Sequence, residues 1–397
     1  MRGLKNIKEK LLFSSLVLVL ITLPLPSYSI NSQSIIFCIL CWMFYNPFSI
    51  KIKNIRSNLK IFLLLSSFFW LSIIGLLYTH DFTEGFKNIQ KTLPFLVFPL
   101  VFSSISVSNE WRFKLLEYYS YGVVIAALFG IIKAFYFKSM NLGNFFYYQQ
   151  LALLLNKHTT YFALFTVIAI GFFLNYIFQK GWRKSSLYIL AILFLVETLY
   201  LLSVRVSIIG LILLGVILVI ATNKSRNKLG NLGVGVVFIV IFLGYFTTNF
   251  QKRFNAKTPE GVSISDLDSR TLHWKSVLEI VAENNLIFGA GTGDGHDRLF
   301  DKYLENGYEA GFIHHYNAHN QFLETTLYYG LIGLGLLFFL FFILIKKTYT
   351  EKNYLQMAIV IVLGVFMLTE SILVRHSGIV VFSFMISMIA FPEAIKK

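Results

Sequence analysis

The chain has 397 residues, 56% hydrophobic and only 14% charged, with a formal net charge of +15. Soluble domains carry about 25% charged residues, so the mean hydropathy of +0.66 excludes an ordinary soluble domain. Apolar runs recur along the whole length, many long enough to cross about 30 Å of hydrocarbon, which predicts an all-α integral membrane protein.

Twelve apolar spans are expected, near residues 11–29, 33–49, 60–78, 90–107, 113–137, 158–178, 185–203, 206–221, 229–249, 319–345, 354–371 and 376–392. The start, MRGLKNIKEK and an apolar run, imitates a signal peptide and is read as an uncleaved first helix. Cys38 and Cys41 form a CxxC inside an apolar run, where redox or zinc chemistry lacks polar access, so they are read as packing residues. Lys133 and Glu197 fall well inside spans five and seven. Residues 1–249 thus hold nine helices, 250–318 one long polar loop, and 319–397 three more helices.

If the N-terminus is cytoplasmic, the inner loops hold 21 of the 35 Lys and Arg residues. Seven more lie in the long loop and seven in the short outer loops and helix ends. Short loops rich in Lys and Arg stay inside. Both termini are therefore expected in the cytoplasm and the long loop outside, on the periplasmic side of a bacterial inner membrane. The positive charge is a topology signal, which argues against a nucleic-acid partner.

Several unusual residues fall on that outer side. Lys91 starts span four, His158 opens span six, and Arg205 occupies the hairpin between spans seven and eight. Glu370, Arg375 and His376 make the last outer hairpin. Singly, each reads as interfacial snorkelling. Convergence of several on one face reads as a site, because charge at membrane depth is costly.

Within the long loop, SISDLDSRTLHWKSVLEIVAENN is expected to be a helix capped by Asp268 or Ser269, with Leu267, Trp274, Leu278 and Val281 on its apolar stripe. Arg270 lies one turn before Trp274. Asp266 and Asp268 spell DxD, read as part of the helix cap rather than a metal–nucleotide signature. The following FGAGTGDGHD lacks the GK[ST] of a phosphate loop and is expected to be a flexible turn back to the bilayer. Then HHYNAHNQFLETTLYYGLIG puts His314, His315 and His319 at the mouth of span ten.

Arg205 in an outer hairpin, Arg270 in SRTLHW followed by FGAGTGDG, and HNQFLETTLYYGLIG together resemble the O-antigen ligase and O-antigen polymerase superfamily, closely over 265–335 and loosely in the twelve-span layout. The residues here are LIFGAG where many relatives carry Pro before the Gly-x-Gly turn. The resemblance implies about twelve helices with one large periplasmic loop. It implies a glycan donor on undecaprenyl pyrophosphate, and as acceptor either lipid A–core or another lipid-linked glycan. It also implies no metal and no cofactor. By position it makes Arg205 and Arg270 the pyrophosphate binders and His319 the catalytic histidine; His158, Tyr161, Glu370 and Arg375 match weaker family positions.

The chemistry of the residue types agrees. Breaking a sugar–pyrophosphate bond without a metal leaves charge that fixed guanidinium forks can meet. An acceptor hydroxyl needs a base, and histidine titrates near working pH. Asn320 and Glu324 are expected to orient the helix start and the imidazole. Two rivals are a metal site at His314, His315 and His319, and a twelve-helix transporter or flippase. Carriers of the latter kind place their long middle loop inside, whereas this one is expected outside.

Overall fold

The computed structural model describes residues 7–223, 266–283 and 285–392. Span nine, the loop residues 250–265, and Lys224, Arg226, Lys228, Lys396 and Lys397, which count toward the expected inner loops, lie outside the described residues. Among the described residues the regular structure is helical throughout.

The helices are α1 (Ile7–Thr22), α2 (Tyr28–Tyr45), α3 (Phe48–Ser57), α4 (Leu59–Leu65), α5 (Ser67–Gly75), α6 (Phe82–Thr92), α7 (Pro94–Ser104), α8 (Asn109–Ser139) and α9 (Gln149–Leu154). They continue with α10 (Thr159–Lys180), α11 (Ser186–Leu202), α12 (Arg205–Asn223), α13 (Asp266–Glu283), α14 (Gly295–Glu305), α15 (Glu309–Ile313), α16 (Gln321–Thr350), α17 (Tyr354–Met367) and α18 (His376–Ala390).

Three of these, α8, α10 and α16, are each long and apolar enough to cross a membrane. Two bent pairs pass the same test together: α2 with α3, at 105°, and α4 with α5 and the short turn after it, at 55°. The continuous span expected over 60–78 is therefore broken. The run expected over 90–107 is divided too: α6 precedes α7, whose 11 residues reach only about 16 Å. Helices α10 and α18 are apolar on all sides and buried almost throughout, as befits the centre of a bundle. Around them, α8, α11, α12 and α17 pack on α10, and α7 packs on α18.

Helix α16 is not continuous either. At Gly330 the backbone turns to φ 58°, ψ −156°. The break strands backbone groups, and the LIFGAG segment satisfies them. Ala290 and Gly291 donate to the carbonyls of Leu327 and Tyr328 at 2.7 and 3.2 Å, while Leu331 and Ile332 donate to those of Leu286 and Ile287 at 3.0 and 3.3 Å. The approach requires glycine on both sides: a Cβ on Gly330 would lie 2.3 Å from the Ile287 oxygen, and one on Gly289 2.6 Å from the Gly330 nitrogen.

The glycine-rich run is therefore no flexible turn. Residues Ala290 to Gly295 are buried. Thr292 donates to the Ser72 carbonyl at 2.7 Å, and the Asp294 carboxylate accepts from the backbone of His80 and Asp81 at 2.9 Å. The segment is wedged between α5, α6 and the broken α16.

Candidate active site

The starts of α10, α16 and α18 and the end of α17 meet at one end of the bundle, under a lobe formed by α13, α14 and α15. Glu370, in the link between α17 and α18, is the centre of the cluster. Its side chain is 5% exposed, with Oε1 at 3.6 Å from His319 Nδ1 and Oε2 at 3.7 Å from His158 Nδ1. Three elements distant in sequence thus place two imidazoles on one carboxylate.

The frame around this carboxylate is built by hydrogen bonds. The Tyr161 hydroxyl, one turn into α10, donates to the Ser371 carbonyl at 2.9 Å. Asn320 caps α16, accepting from Phe322 and Leu323, and its amide donates to the Leu368 carbonyl at 3.3 Å. This ties the start of α16 to the end of α17. His319 precedes the cap in a left-handed conformation, φ 46°, with its N–H on Asn317 Oδ1 at 2.9 Å.

Burial pushes the Glu370 carboxyl up, but the neighbouring imidazoles and the Arg375 guanidinium outweigh it and hold the group below the usual carboxylate range. Burial also pulls His158 below its ordinary value, against the attraction of Glu370. The resting state is a carboxylate facing a neutral His158. The tautomer of His319 that turns Nδ1–H toward this carboxylate leaves Nε2 with its lone pair, the form a base requires.

Glu324 does not touch the His319 imidazole, contrary to the expectation from its spacing. One oxygen meets His296 Nε2 at 2.6 Å; the other accepts from Ala318 N at 2.9 Å and Ser371 Oγ at 3.0 Å. Glu324 therefore fixes the backbone next to His319 and next to Glu370. His296 and Ser371 were not singled out in the sequence, since GDGHD read as a turn. The signal for His296 was a histidine directly after the glycine-rich run.

Helix α13 differs from its expected pattern in two ways. Asp268 and Ser269 lie inside the helix, so neither caps it in the expected way. Its buried face runs through His273, Ser276, Val277, Ile280 and Val281, while Leu278 is 56% exposed. Arg270 is thus one turn before His273 on the inward side, not at the edge of a tryptophan stripe. The His273 ring centroid lies 5.3 Å from that of His319, and its Nδ1 meets the Tyr303 hydroxyl at 2.8 Å. Burial, with the charges of His319 and Arg270 adding to it, pushes His273 down to about 4.

Arg205 is half-buried at the start of α12, after a left-handed Ser203. Five residues on, Gly210 packs against Phe366 near the end of α17, so Arg205 sits at the level of the Glu370 cluster. His314 stacks on Tyr316, and His315 packs edge-on against Phe300, so their rings are engaged by aromatic neighbours. Lys91 stands apart from the cluster, bonded to Asn88 at 2.9 Å and paired with Glu84 at 3.5 Å.

Residues 189–338, from α11 to the middle of α16, match the family profile described as O-antigen ligase. Over this region the chain is similar to the O-antigen ligase family. None of the curated proteins matches it. The matched region contains Arg205, Arg270, His296, His319 and Glu324, whereas His158, Tyr161, Glu370 and Arg375 lie outside it. The likeness is to a family of ligase-type proteins and, together with the apolar helices, is in keeping with a membrane setting.

Proposed function

We propose that this protein moves a glycan from undecaprenyl pyrophosphate to an acceptor sugar at the periplasmic face of the bacterial inner membrane, with both termini cytoplasmic. The acceptor is lipid A–core in a ligase and a lipid-linked glycan in a polymerase. His319 takes the proton of the acceptor hydroxyl, and the oxygen attacks the anomeric carbon. The bond from that carbon to the pyrophosphate oxygen breaks, its electron pair leaving with the diphosphate. Arg205 and Arg270 meet that charge, and Glu370 holds the imidazole that becomes cationic. Attack from one side and departure from the other invert the anomeric centre. The steps require no metal.

The observation that supports this reading most is the placement of His319 and His158 on the buried Glu370. A base needs a free lone pair and a partner that orients it. The test is transfer by the full chain in nanodiscs, given a lipid-pyrophosphate glycan and both acceptor types. His319→Ala should cut the rate about 10²–10⁴-fold and leave donor binding intact. Wild-type protein that transfers to neither acceptor, a His319→Ala variant at full rate, or loss of transfer on adding a chelator overturns the proposal.

A further inference from the structure

A second carboxylate–imidazole pair lies one helical turn from His319 and is not used by the mechanism above. His296 Nε2 sits 2.6 Å from Glu324, whose side chain is 2% exposed. The contact is a full angstrom shorter than that between His319 and Glu370. The pair borders a cavity of about 50 Å³, enough for a few waters or for the hydroxyl edge of one sugar ring.

The lining has two kinds of surface. Phe95 and Tyr328 line it with aromatic rings, while Asn88, Lys91 and Gln321 line it with amide and ammonium groups. Each of these polar groups also holds a neighbour: Asn88 donates to the Thr292 carbonyl, Lys91 donates to Asn88, and Gln321 donates to Thr325 and accepts from Leu373. Rings against C–H faces, with planar amides against hydroxyls, suit a neutral carbohydrate. Phosphate suits the cavity poorly, since the buried Glu324 carboxylate would repel it. Lys91, 44% exposed, stands at the mouth.

The location separates this cavity from the arginine side. Helix α12, which Arg205 opens, packs on α10 and α17. The cavity lies on the other flank of α16, against α6 and α7, which pack on α5 and α18. His319 and Glu370 are between the two. A donor held by its pyrophosphate on one flank leaves the opposite flank for the other substrate.

We infer that the cavity beside His296 and Glu324 is the subsite for the acceptor's sugar, holding a ring by its hydroxyls so that a neighbouring hydroxyl faces His319. The inference rests on the transferase reading for the word acceptor, but sugar binding is testable without turnover. The probe is a panel of methyl glycosides of hexoses and N-acetylhexosamines, observed by saturation-transfer NMR on the full chain in nanodiscs. At least one should bind wild-type protein in the millimolar range. Lys91→Ala, at an exposed position that folding tolerates, and Asn88→Ala should each weaken it about tenfold, the worth of one good hydrogen bond. Arg270→Lys should leave it unchanged. In the transfer assay the same two cavity variants should raise KM for the acceptor about tenfold and leave KM for the donor alone. No glycoside binding to wild type, binding indifferent to both cavity variants, or an effect on donor KM instead overturns the inference. Absence of transfer with glycoside binding intact counts against the transferase reading and leaves the sugar site standing.

Discussion

Replacing Glu370 by glutamine keeps the shape of the side chain and removes its charge. If His319 is the base, the imidazolium formed during transfer loses a partner 3.6 Å away. Coulomb attraction at that distance is about 4–5 kcal/mol for an effective dielectric near 20. The His319 side chain is 27% exposed and the contact is longer than a hydrogen bond, so roughly half should be realised in the transition state. A loss of about 2–3 kcal/mol corresponds to a fall in kcat of about 30–150-fold. The assay is initial-rate transfer at saturating donor and acceptor, for wild type, Glu370→Gln, His319→Ala and the double variant. Groups that act as a unit are not additive, so Glu370→Gln should cost almost nothing further in the His319→Ala background. An undiminished kcat in Glu370→Gln, or the same fold loss with and without His319, would refute the idea that the carboxylate works through the imidazole.

Arg205→Lys and Arg270→Lys keep the charge but lose the fork, and each should cost about 2–4 kcal/mol of transition-state stabilisation, read as kcat/KM for the donor; full activity in both removes them as pyrophosphate clamps. Gly330→Ala should destabilise by about 2–4 kcal/mol, because a positive φ is combined with a clash on the Ile287 carbonyl. An unchanged melting temperature would show that the helix break and its loop are not stabilising one another. Folded His273 accepts a proton only near about 4, whereas unfolded histidine does so near 6.5. Stability should therefore fall as pH drops through this window, by at most about 3 kcal/mol from this group, and thermal melts of His273→Gln should lack that part of the fall. In a Cys38→Ser, Cys41→Ser background, His80→Cys, where the native side chain is 87% exposed, should react with an impermeant thiol reagent from the outer side. Lys352→Cys should react only after permeabilisation; the reverse result would put every proposed site residue in the wrong compartment.

Composition by itself pointed to a helical membrane protein, because hydrocarbon thickness sets the length of an apolar run; the bias of Lys and Arg gave only an expected orientation. The stretch HNQFLETT was legible too, since polar residues at the mouth of an apolar helix have no packing reason to be there. What sequence could not reveal was which partner each of them meets. Glu324 lies close to His319 in the chain, yet the turn at Asn320 sends its carboxylate to His296, Ala318 and Ser371. The imidazole of His319 is met instead by Glu370, fifty-one residues away in the chain, brought there by the packing of α17 against α16. The same holds for the apolar face of α13. Helical periodicity allows more than one stripe, and only the neighbours α14 and α16 decide that His273 and Val277, rather than Leu278, turn inward. Glycines in FGAGTGDG suggested freedom, but freedom in the unfolded chain became close backbone contact in the fold. Gly289 and Gly330 are needed where two main chains exchange the hydrogen bonds that a broken helix in an apolar setting cannot leave unmade.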